Sequence, residues 1–583
     1  MRYIPFVISL FILWVVTSLF DTSLSWQYDL SRVGLDEVVI GLRATALANF
    51  FALLIAFSIM ILSIATPKYR QTKSFYLLFY LLSAGLFLIV YAEDYLLFFV
   101  GWEVMSVTTY LLLSYDLSRK ALLKYVIFAM ASAMSLLAGI MILYSTSHSF
   151  LYADAHQAFL LLSDNMRTIF IILMLFAFFV KLGTIGFHYW LVDSYDESAD
   201  LFTPFLSAVL SKMGIYAMII LLIYVVDIST LSHHWLGYTL GVMGLLSSII
   251  AAFKALNEDS MKRALAYSSI AQLGYIVTVL SLADGVSAAL YHSLIHTLVK
   301  LMLFINIAGI IYVTARSKYS QLGGLIYRMP QSFVLLLIGI IVLAGMPPLG
   351  GFASKFLMYT TLLEGKNLLM LAAMMFAGAS AFLYIYKMIY GIYLGHPTSK
   401  SLESVAEVPF IFLLPQYIIS LILIVMGVFP GLIVPYLNTI LVELGVEQLP
   451  FAAYETLGTA IASYNGLVVM SAFMILFIIV LSLLLSLSSK VKEAKDRFDI
   501  AYCGEVPNEG THLHYGYSMG RELKRVWFVA IILKNSSSFF YDYIAKQLWA
   551  TSEFVRRIYS GNLVQNFNIA VVFALILLWW GIK

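Results

Sequence analysis

His292, His296 and Lys300 recur at four-residue intervals in ALYHSLIHTLVKLMLFINIAGII, residues 289–311, a run otherwise almost wholly apolar and long enough to cross a bilayer. In a helix that spacing puts the three on one slowly turning face covering about 12 Å of depth at about 1.5 Å per residue. Two imidazoles and an amine in file suit a proton relay, because imidazole exchanges protons near neutrality and an amine holds one. Two other readings fit the same residues. An HxxxH pair can ligate zinc, but no cysteine or third close ligand accompanies it, and the glutamate of an HExxH motif is missing. Buried histidines can also be core residues satisfied by their neighbours, and that reading stays open beside the relay.

Four more ionisable residues interrupt apolar runs: Glu103 in LLFFVGWEVMSVTTYLLL, Lys181 in LFAFFVKLGTIGFHYW, Lys212 in FLSAVLSKMGIYAMIILL and Lys355 in LAGMPPLGGFASKFLMY. A charge inside a membrane costs a few kcal/mol and usually marks function. The bland alternative is snorkelling or a structural ion pair. Glu103, Lys181 and Lys212 fall too deep for it, since a lysine stem cannot cover half of a roughly 30 Å core. Lys387, near the end of its run, is the residue expected to snorkel. The MPPLGG segment cannot continue a helix, and irregular backbone at membrane depth is tolerated only where it lines protein or a wet cavity. Gly183 and Gly186 mark a weaker break beside Lys181.

The elements that must position these residues are membrane helices. Of 583 residues 62% are hydrophobic and 11% charged, outside the range of soluble globular chains. A net charge of +3 leaves no basic field for nucleic acid. One cysteine, Cys503, excludes a disulfide framework and an all-cysteine iron–sulfur cluster held by this chain alone. Any redox chemistry therefore belongs to a partner, and this chain is expected to carry no cofactor and no metal. The opening MRYIPFVISLFILWVVTSLF lacks a small-residue cleavage site and is read as a span, not a signal peptide.

An all-α integral membrane fold of fifteen spans is expected, near 3–20, 38–64, 74–92, 95–115, 122–145, 168–191, 204–227, 236–256, 261–282, 285–314, 331–364, 368–394, 409–436, 463–489 and 565–582. Lysines and arginines collect in alternate loops, such as Arg119 and Lys120, Lys262 and Arg263, and Arg316 and Lys318. This puts the N-terminus in the cytoplasm and the C-terminus outside a cell membrane. The acidic loop DSYDESAD, 193–200, falls on the basic side against that pattern. Residues 1–73 form N-terminal helices, 74–227 and 236–394 two five-helix units, 409–489 extra spans, 490–564 an inner segment and 565–583 a last span. A second copy of an odd unit enters from the opposite face, so the two units form an inverted repeat of the transporter kind. Around 539–560, Phe540, Ile544 and Leu548 share a helix face opposite Asp542, Lys546, Glu553 and Arg556, which suits an amphipathic helix lying along the membrane.

EDSMKRALAYSSIAQLGY (258–275), HSLIHTLVKLMLF (292–304) and LAGMPPLGGFASK (343–355) together resemble the antiporter-like large subunits shared by respiratory complex I, Mrp-type Na+/H+ antiporters and energy-converting membrane-bound hydrogenases. The resemblance covers roughly residues 75–395, and ESADLFTPFLSAVLSKMGIY and YCGE are most like the hydrogenase-4 component B and Ech-type large subunits. It implies that Glu103 modulates Lys181, that Lys212, Lys300, His296 and His292 form a central relay, and that Lys355 is the exit station. It also implies partners: other membrane subunits, clamped by the 539–560 helix, and hydrophilic redox subunits carrying iron–sulfur clusters and, in hydrogenases, nickel–iron. The transported ion is H+, with Na+ as the alternative. Two departures stand out: the proline usual near Lys181 is absent, and DLFTPFLSA replaces the usual PTPVSA turn. The expected function is a proton-translocating subunit of a redox-driven complex. The alternative is a stand-alone Mrp-type antiporter or inorganic-carbon uptake system without electron transfer. Moving one charge against about 180 mV costs about 4 kcal/mol, which an ion pair made and broken in a dry site can supply.

Overall fold

The computed structural model describes residues 4–19, 24–29, 38–65, 72–227, 235–394, 397–488 and 522–533, with isolated helical positions between 543 and 553. In apolar surroundings backbone N–H and C=O groups must satisfy each other, and the long apolar runs accordingly fold as helices. Ile4–Ser18 (α1), Ala46–Ala65 (α2), Lys73–Tyr91 (α3), Tyr95–Leu113 (α4) and Arg119–Ser147 (α5) lead to a short Tyr152–Leu161 (α6) and to Asp164–Leu182 (α7). After Tyr189–Glu197 (α8), one continuous span is built from Thr203–Phe205 (α9), a π-helical turn Leu206–Leu210, Ser211–Leu221 (α10) and a second π turn Leu222–Val226. Trp235–Asn257 (α11), Met261–Val279 (α12) and Gly285–Thr314 (α13) follow, then Pro330–Ala344 (α14), Gly350–Glu364 (α15) and Leu368–Ile392 (α16). Phe410–Val428 (α17), Val434–Glu443 (α18) and Gly466–Ser488 (α19) come next in the first compact unit, 1–520.

Among the described residues eleven helices are long and apolar enough to span a membrane, and the protein is a multi-pass integral membrane protein. The expected fifteen are not reached there. The α1 and α14 helices are short, α12 is diluted by lysine, arginine, serines and Gln272, and the 565–582 span lies outside the described residues. The 331–364 run divides into α14 and α15, because the chain turns at Gly345, whose φ of 74° favours glycine. The 409–436 run ends at Val428, and α18 begins after Pro430. Residues 38–43, expected as membrane helix, form strand Val39–Arg43 (β2), antiparallel to Ser25–Asp29 (β1). A second small hairpin pairs Thr456–Gly458 (β3) with Ser463–Asn465 (β4). Asp94 caps α4 by accepting from Leu97 N at 2.8 Å and also accepts from Gly41 N at 2.7 Å, so the first hairpin is tied to that helix.

Small residues bring helices into backbone contact, the usual means of packing where lipid is as apolar as the side chains. A Cβ on Gly274 of α12 would lie 2.5 Å from the Gly244 carbonyl of α11, and one on Gly101 of α4 would lie 3.0 Å from the Gly85 carbonyl of α3. The core gathers around α13, which is buried along nearly its whole length.

Most of the acidic stretch expected as a loop, residues 193–197, is the end of α8, because its carboxylates find partners near the N-terminal ends of α5 and α12. Asp193 lies 2.5 Å from Lys124 of α5 and 2.8 Å from Arg263 of α12, and Lys262 lies 2.8 Å from Asp200. Glu197 accepts from Ser118 N at 2.6 Å, and Ser260, the N-cap of α12, donates to Asp196 at 2.5 Å. Burial alone would raise the Asp193 carboxyl, but Lys124 and Arg263 outweigh it and hold it below the ordinary carboxylate range. The loop that broke the charge pattern is therefore the counter-ion of the basic residues on its own side.

In the second unit, residues 521–583, a 3-10 turn Glu522–Arg525 leads into Trp527–Leu533 (α20). Of the expected 539–560 surface helix only Tyr543, Lys546, Gln547, Trp549, Ala550, Ser552 and Glu553 are described, all helical; Phe540, Ile544 and Leu548 lie outside the described residues.

Candidate functional site

The site is built from the ends of interrupted helices and the middle of α13. Lys181 is the penultimate residue of α7, which stops at Gly183 with φ 65°. Its ammonium, almost fully buried, stands 5.5 Å from the centre of the Trp102 ring, the residue beside Glu103 on α4. Glu103 is half-buried, and its buried Oε1 has no hydrogen-bond partner among the described residues. Glu103 and Lys181 feel each other's charge without meeting in an ion pair. Trp102, Ser106, Tyr125, Ser132 and Trp190 wall a small cavity against Lys181 with room for about one water molecule.

Lys212 is the second residue of α10, just after the π-helical turn. Such a turn widens the backbone, and π bulges gather at functional sites. Here Lys212 Nζ donates to the Ser207 carbonyl at 2.8 Å, five residues back, and lies 3.5 Å from Ser211 Oγ. Ser207 Oγ hydrogen-bonds Ser269 Oγ of α12 at 2.9 Å, and Ser269 donates to the Leu265 carbonyl at 2.9 Å. Lys300 Nζ donates to that same carbonyl at 3.0 Å and to Ser268 Oγ at 2.5 Å. A buried string of hydrogen-bonding groups thus joins the lysine of one half of the chain to the lysine of the other.

From Lys300 the α13 face continues through the histidines. The His296 and His292 rings lie nearly parallel, 6.1 Å between centres, and neither nitrogen of His296 has a hydrogen-bond partner among the described residues. His292 is held on both sides, Nε2 3.0 Å from Gln272 Oε1 and Nδ1 2.9 Å from Ser354 Oγ. Gln272 also donates to the Leu343 carbonyl at 3.3 Å, near the end of α14. Lys355, next to Ser354 on the second turn of α15, donates to the Ala344 carbonyl at 2.8 Å and so caps α14 across the break. Its stem crosses Gly345, where a Cβ would come within 2.4 Å of Lys355 Cδ.

The seven residues singled out from sequence thus fall into two groups. Lys212, Lys300, His296, His292 and Lys355 form one electrostatically linked cluster, whereas Glu103 and Lys181 are linked to each other and not to that cluster. Lys387, expected to snorkel, is instead buried and donates to the Leu256 and Glu258 carbonyls at 2.8 and 2.7 Å, at the end of α11. Ser207, Ser268, Ser269, Gln272 and Ser354 were not anticipated as site residues. Their only signal was a set of polar side chains on helices with little solvent to face. Among the described residues no group of three or more His, Cys, Asp or Glu is arranged to hold a metal ion.

Comparison with known proteins places the chain among membrane ion-translocating subunits. The chain is 27% identical over 410 residues to F(420)H(2) dehydrogenase subunit N of Methanosarcina mazei, covering 67% of this chain and 82% of that protein. It is 27% identical over 417 residues to Na(+)/H(+) antiporter subunit A1 of Staphylococcus epidermidis, covering 66% of this chain but only 50% of that longer protein. A chain in the structure of the membrane-bound sulfane sulfur reductase, an archaeal respiratory membrane complex, superposes with a TM-score of 0.87 at 26% identity, covering 98% of this chain and 95% of that one. Residues 92–381 match the family model for the NADH:quinone oxidoreductase/Mrp antiporter transmembrane segment, the stretch holding all seven candidate residues, and by that match the chain belongs to this family.

Proposed function

We propose that this chain moves protons across the membrane as one pumping subunit of a redox-driven multisubunit complex. The observation that carries the reading is the buried, hydrogen-bonded string from Lys212 through Ser207, Ser269 and the Leu265 carbonyl to Lys300, continued by the two histidines toward Lys355. Lone buried charges are costly, and five linked cationic or titratable groups without acidic neighbours are a poor way to stabilise a fold. They are a good way to hand on one charge.

Glu103 and Lys181 form the loading end. When Glu103 approaches, the Lys181 ammonium is stabilised; when it retreats, a buried unpaired charge remains and the proton moves on. A gap between the two side chains, with Lys181 resting over Trp102, is one state of that cycle. Two features support the inverted repeat of 74–227 and 236–394: each unit opens with a glycine-packed helix pair, and each fourth helix ends at a positive-φ glycine beside a lysine. With the N-terminus in the cytoplasm, the basic loops and their acidic counter-loop face inward. Neighbouring membrane subunits dock through the 539–560 helix, and hydrophilic subunits bearing iron–sulfur clusters supply the redox energy. The dehydrogenase and sulfur-reductase relatives favour this setting.

A second reading, a stand-alone Na+/H+ antiporter, is favoured by the antiporter subunit A1 relative. Lys181→Ala tests the first. In the purified complex reconstituted in vesicles, the redox half-reaction should persist while proton uptake per electron falls about tenfold or more, a loss of roughly 1.4 kcal/mol of coupling. Full proton uptake in that variant would refute Lys181 as a carrier, and copurification of no redox subunit would favour the antiporter.

A further inference from the structure

We propose that Ser354 is the port through which His292 exchanges protons with the Lys355 arm, an inference that rests on the translocation reading above. It follows from counting hydrogens. Gln272 is oriented by its second contact: its amide nitrogen must face the Leu343 carbonyl at 3.3 Å, because the amide oxygen cannot donate there. Its oxygen therefore faces His292 Nε2 at 3.0 Å, and an acceptor there requires hydrogen on Nε2 whether the ring is neutral or charged. An amide oxygen is too weakly basic to take that proton. The mobile proton of His292 consequently sits on Nδ1, and Nδ1 faces Ser354 Oγ at 2.9 Å.

Ser354 has one hydrogen and two acceptors within reach, His292 Nδ1 and the Gly351 carbonyl at 3.0 Å. Beside neutral His292 the hydroxyl hydrogen points at Nδ1. Beside the imidazolium, Nδ1–H points at Oγ and the hydroxyl hydrogen turns to Gly351. Each protonation of the histidine thus reorients a hydroxyl on the second turn of α15, one residue from Lys355. In discharge the Nδ1–H bond breaks and a new O–H bond forms on Ser354. The serine's former hydrogen swings off the Gly351 carbonyl and passes to a water bridging toward the neutral Lys355 amine, so Oγ keeps no net charge. Loading runs the same steps in reverse. His292 and His296 therefore differ: one has a single exit controlled by a hydroxyl, and the other has two nitrogens without partners among the described residues.

The test uses the intact complex in vesicles, with proton uptake measured per assembled complex. Ser354→Ala should translocate about tenfold more slowly, Ser354→Thr, which keeps a hydroxyl, should stay within about threefold of wild type, and redox turnover should continue in both. Because Ser354 and His292 act at one step, the double variant Ser354→Ala, His292→Gln should be no slower than the slower single variant. If Ser354→Ala does not assemble, Ser354→Cys takes its place and must slow transport severalfold. A wild-type rate in Ser354→Ala, failure of Ser354→Thr to restore transport, or multiplying losses in the double variant overturns the serine role while leaving the translocation reading intact. Wild-type vesicles that move no protons overturn both.

Discussion

Lys300 is the most enclosed of the candidate carriers: it has no solvent exposure and its ammonium is held by one carbonyl and one hydroxyl. A buried charge satisfied only by neutral groups stabilises little, and an apolar side chain of similar length in its place is often neutral or stabilising. Lys300→Met is therefore expected to assemble at normal yield with unchanged or higher thermal stability, yet to lose proton translocation to background. If the lysine were structural, assembly would fail and the rate per assembled complex would stay normal. Which residues are candidate carriers was readable from type and depth, because Lys, His and Glu are rare inside membranes. Their hydrogen-bonding partners were not. A membrane serine commonly satisfies itself on a carbonyl in its own preceding turn, as Ser58 and Ser293 do. Nothing local distinguishes those from Ser207 and Ser269, which also reach each other across two helices.

At the scale of elements, helix type and the break at MPPLGG follow from composition and from proline and glycine chemistry. The hairpins and α6 do not, since short strands and surface helices carry too few residues for a periodic signal. The acidic loop shows the same limit: Asp193 looked anomalous until Lys124 and Arg263, distant in sequence, were seen on either side of it. That cluster gives a pH-dependent prediction. Its depressed folded pKa means that Asp193 contributes stability above the unfolded carboxylate value of about 3.9 and loses it as pH falls through the folded value. Asp193→Asn should lower the unfolding free energy at pH 7 by about 2 kcal/mol, between exposed and buried ion-pair values. The gap between variant and wild type should begin to close below about pH 4 and vanish only once the pH has fallen below the depressed folded value. Thermal unfolding in detergent across pH measures this, and a gap that persists at low pH would show that the loss comes from packing.

At the scale of the whole molecule, the question under the proposed function is how a proton held at Lys212 reaches Lys300. There α13 packs on the π-helical turn Leu206–Leu210, with Thr297 donating to the Ala208 carbonyl at 3.1 Å, and the Ser207–Ser269 contact lies at that junction. Lys212 and Lys300 both end on backbone carbonyls adjoining it. Carbonyls accept hydrogen bonds but do not release protons, so transfer between the lysines needs hydroxyls, or water ordered by them, at the junction. Removing one hydroxyl leaves its partner and space that a water can occupy. Ser207→Ala or Ser269→Ala alone should therefore slow translocation only about two- to threefold. Removing both takes away the two hydroxyls that face each other between the lysines, and water held there mainly by carbonyls and amines lacks the groups that both give and take a proton. The double variant should fall about tenfold or more, beyond the product of the single effects. Each replacement deletes one oxygen from a tightly packed site, so assembly should hold. Proton uptake per assembled complex, measured alongside redox turnover, reads the outcome: losses that simply multiply would mean that protons cross between the halves by another route, and the serine pair would then be a packing contact alone.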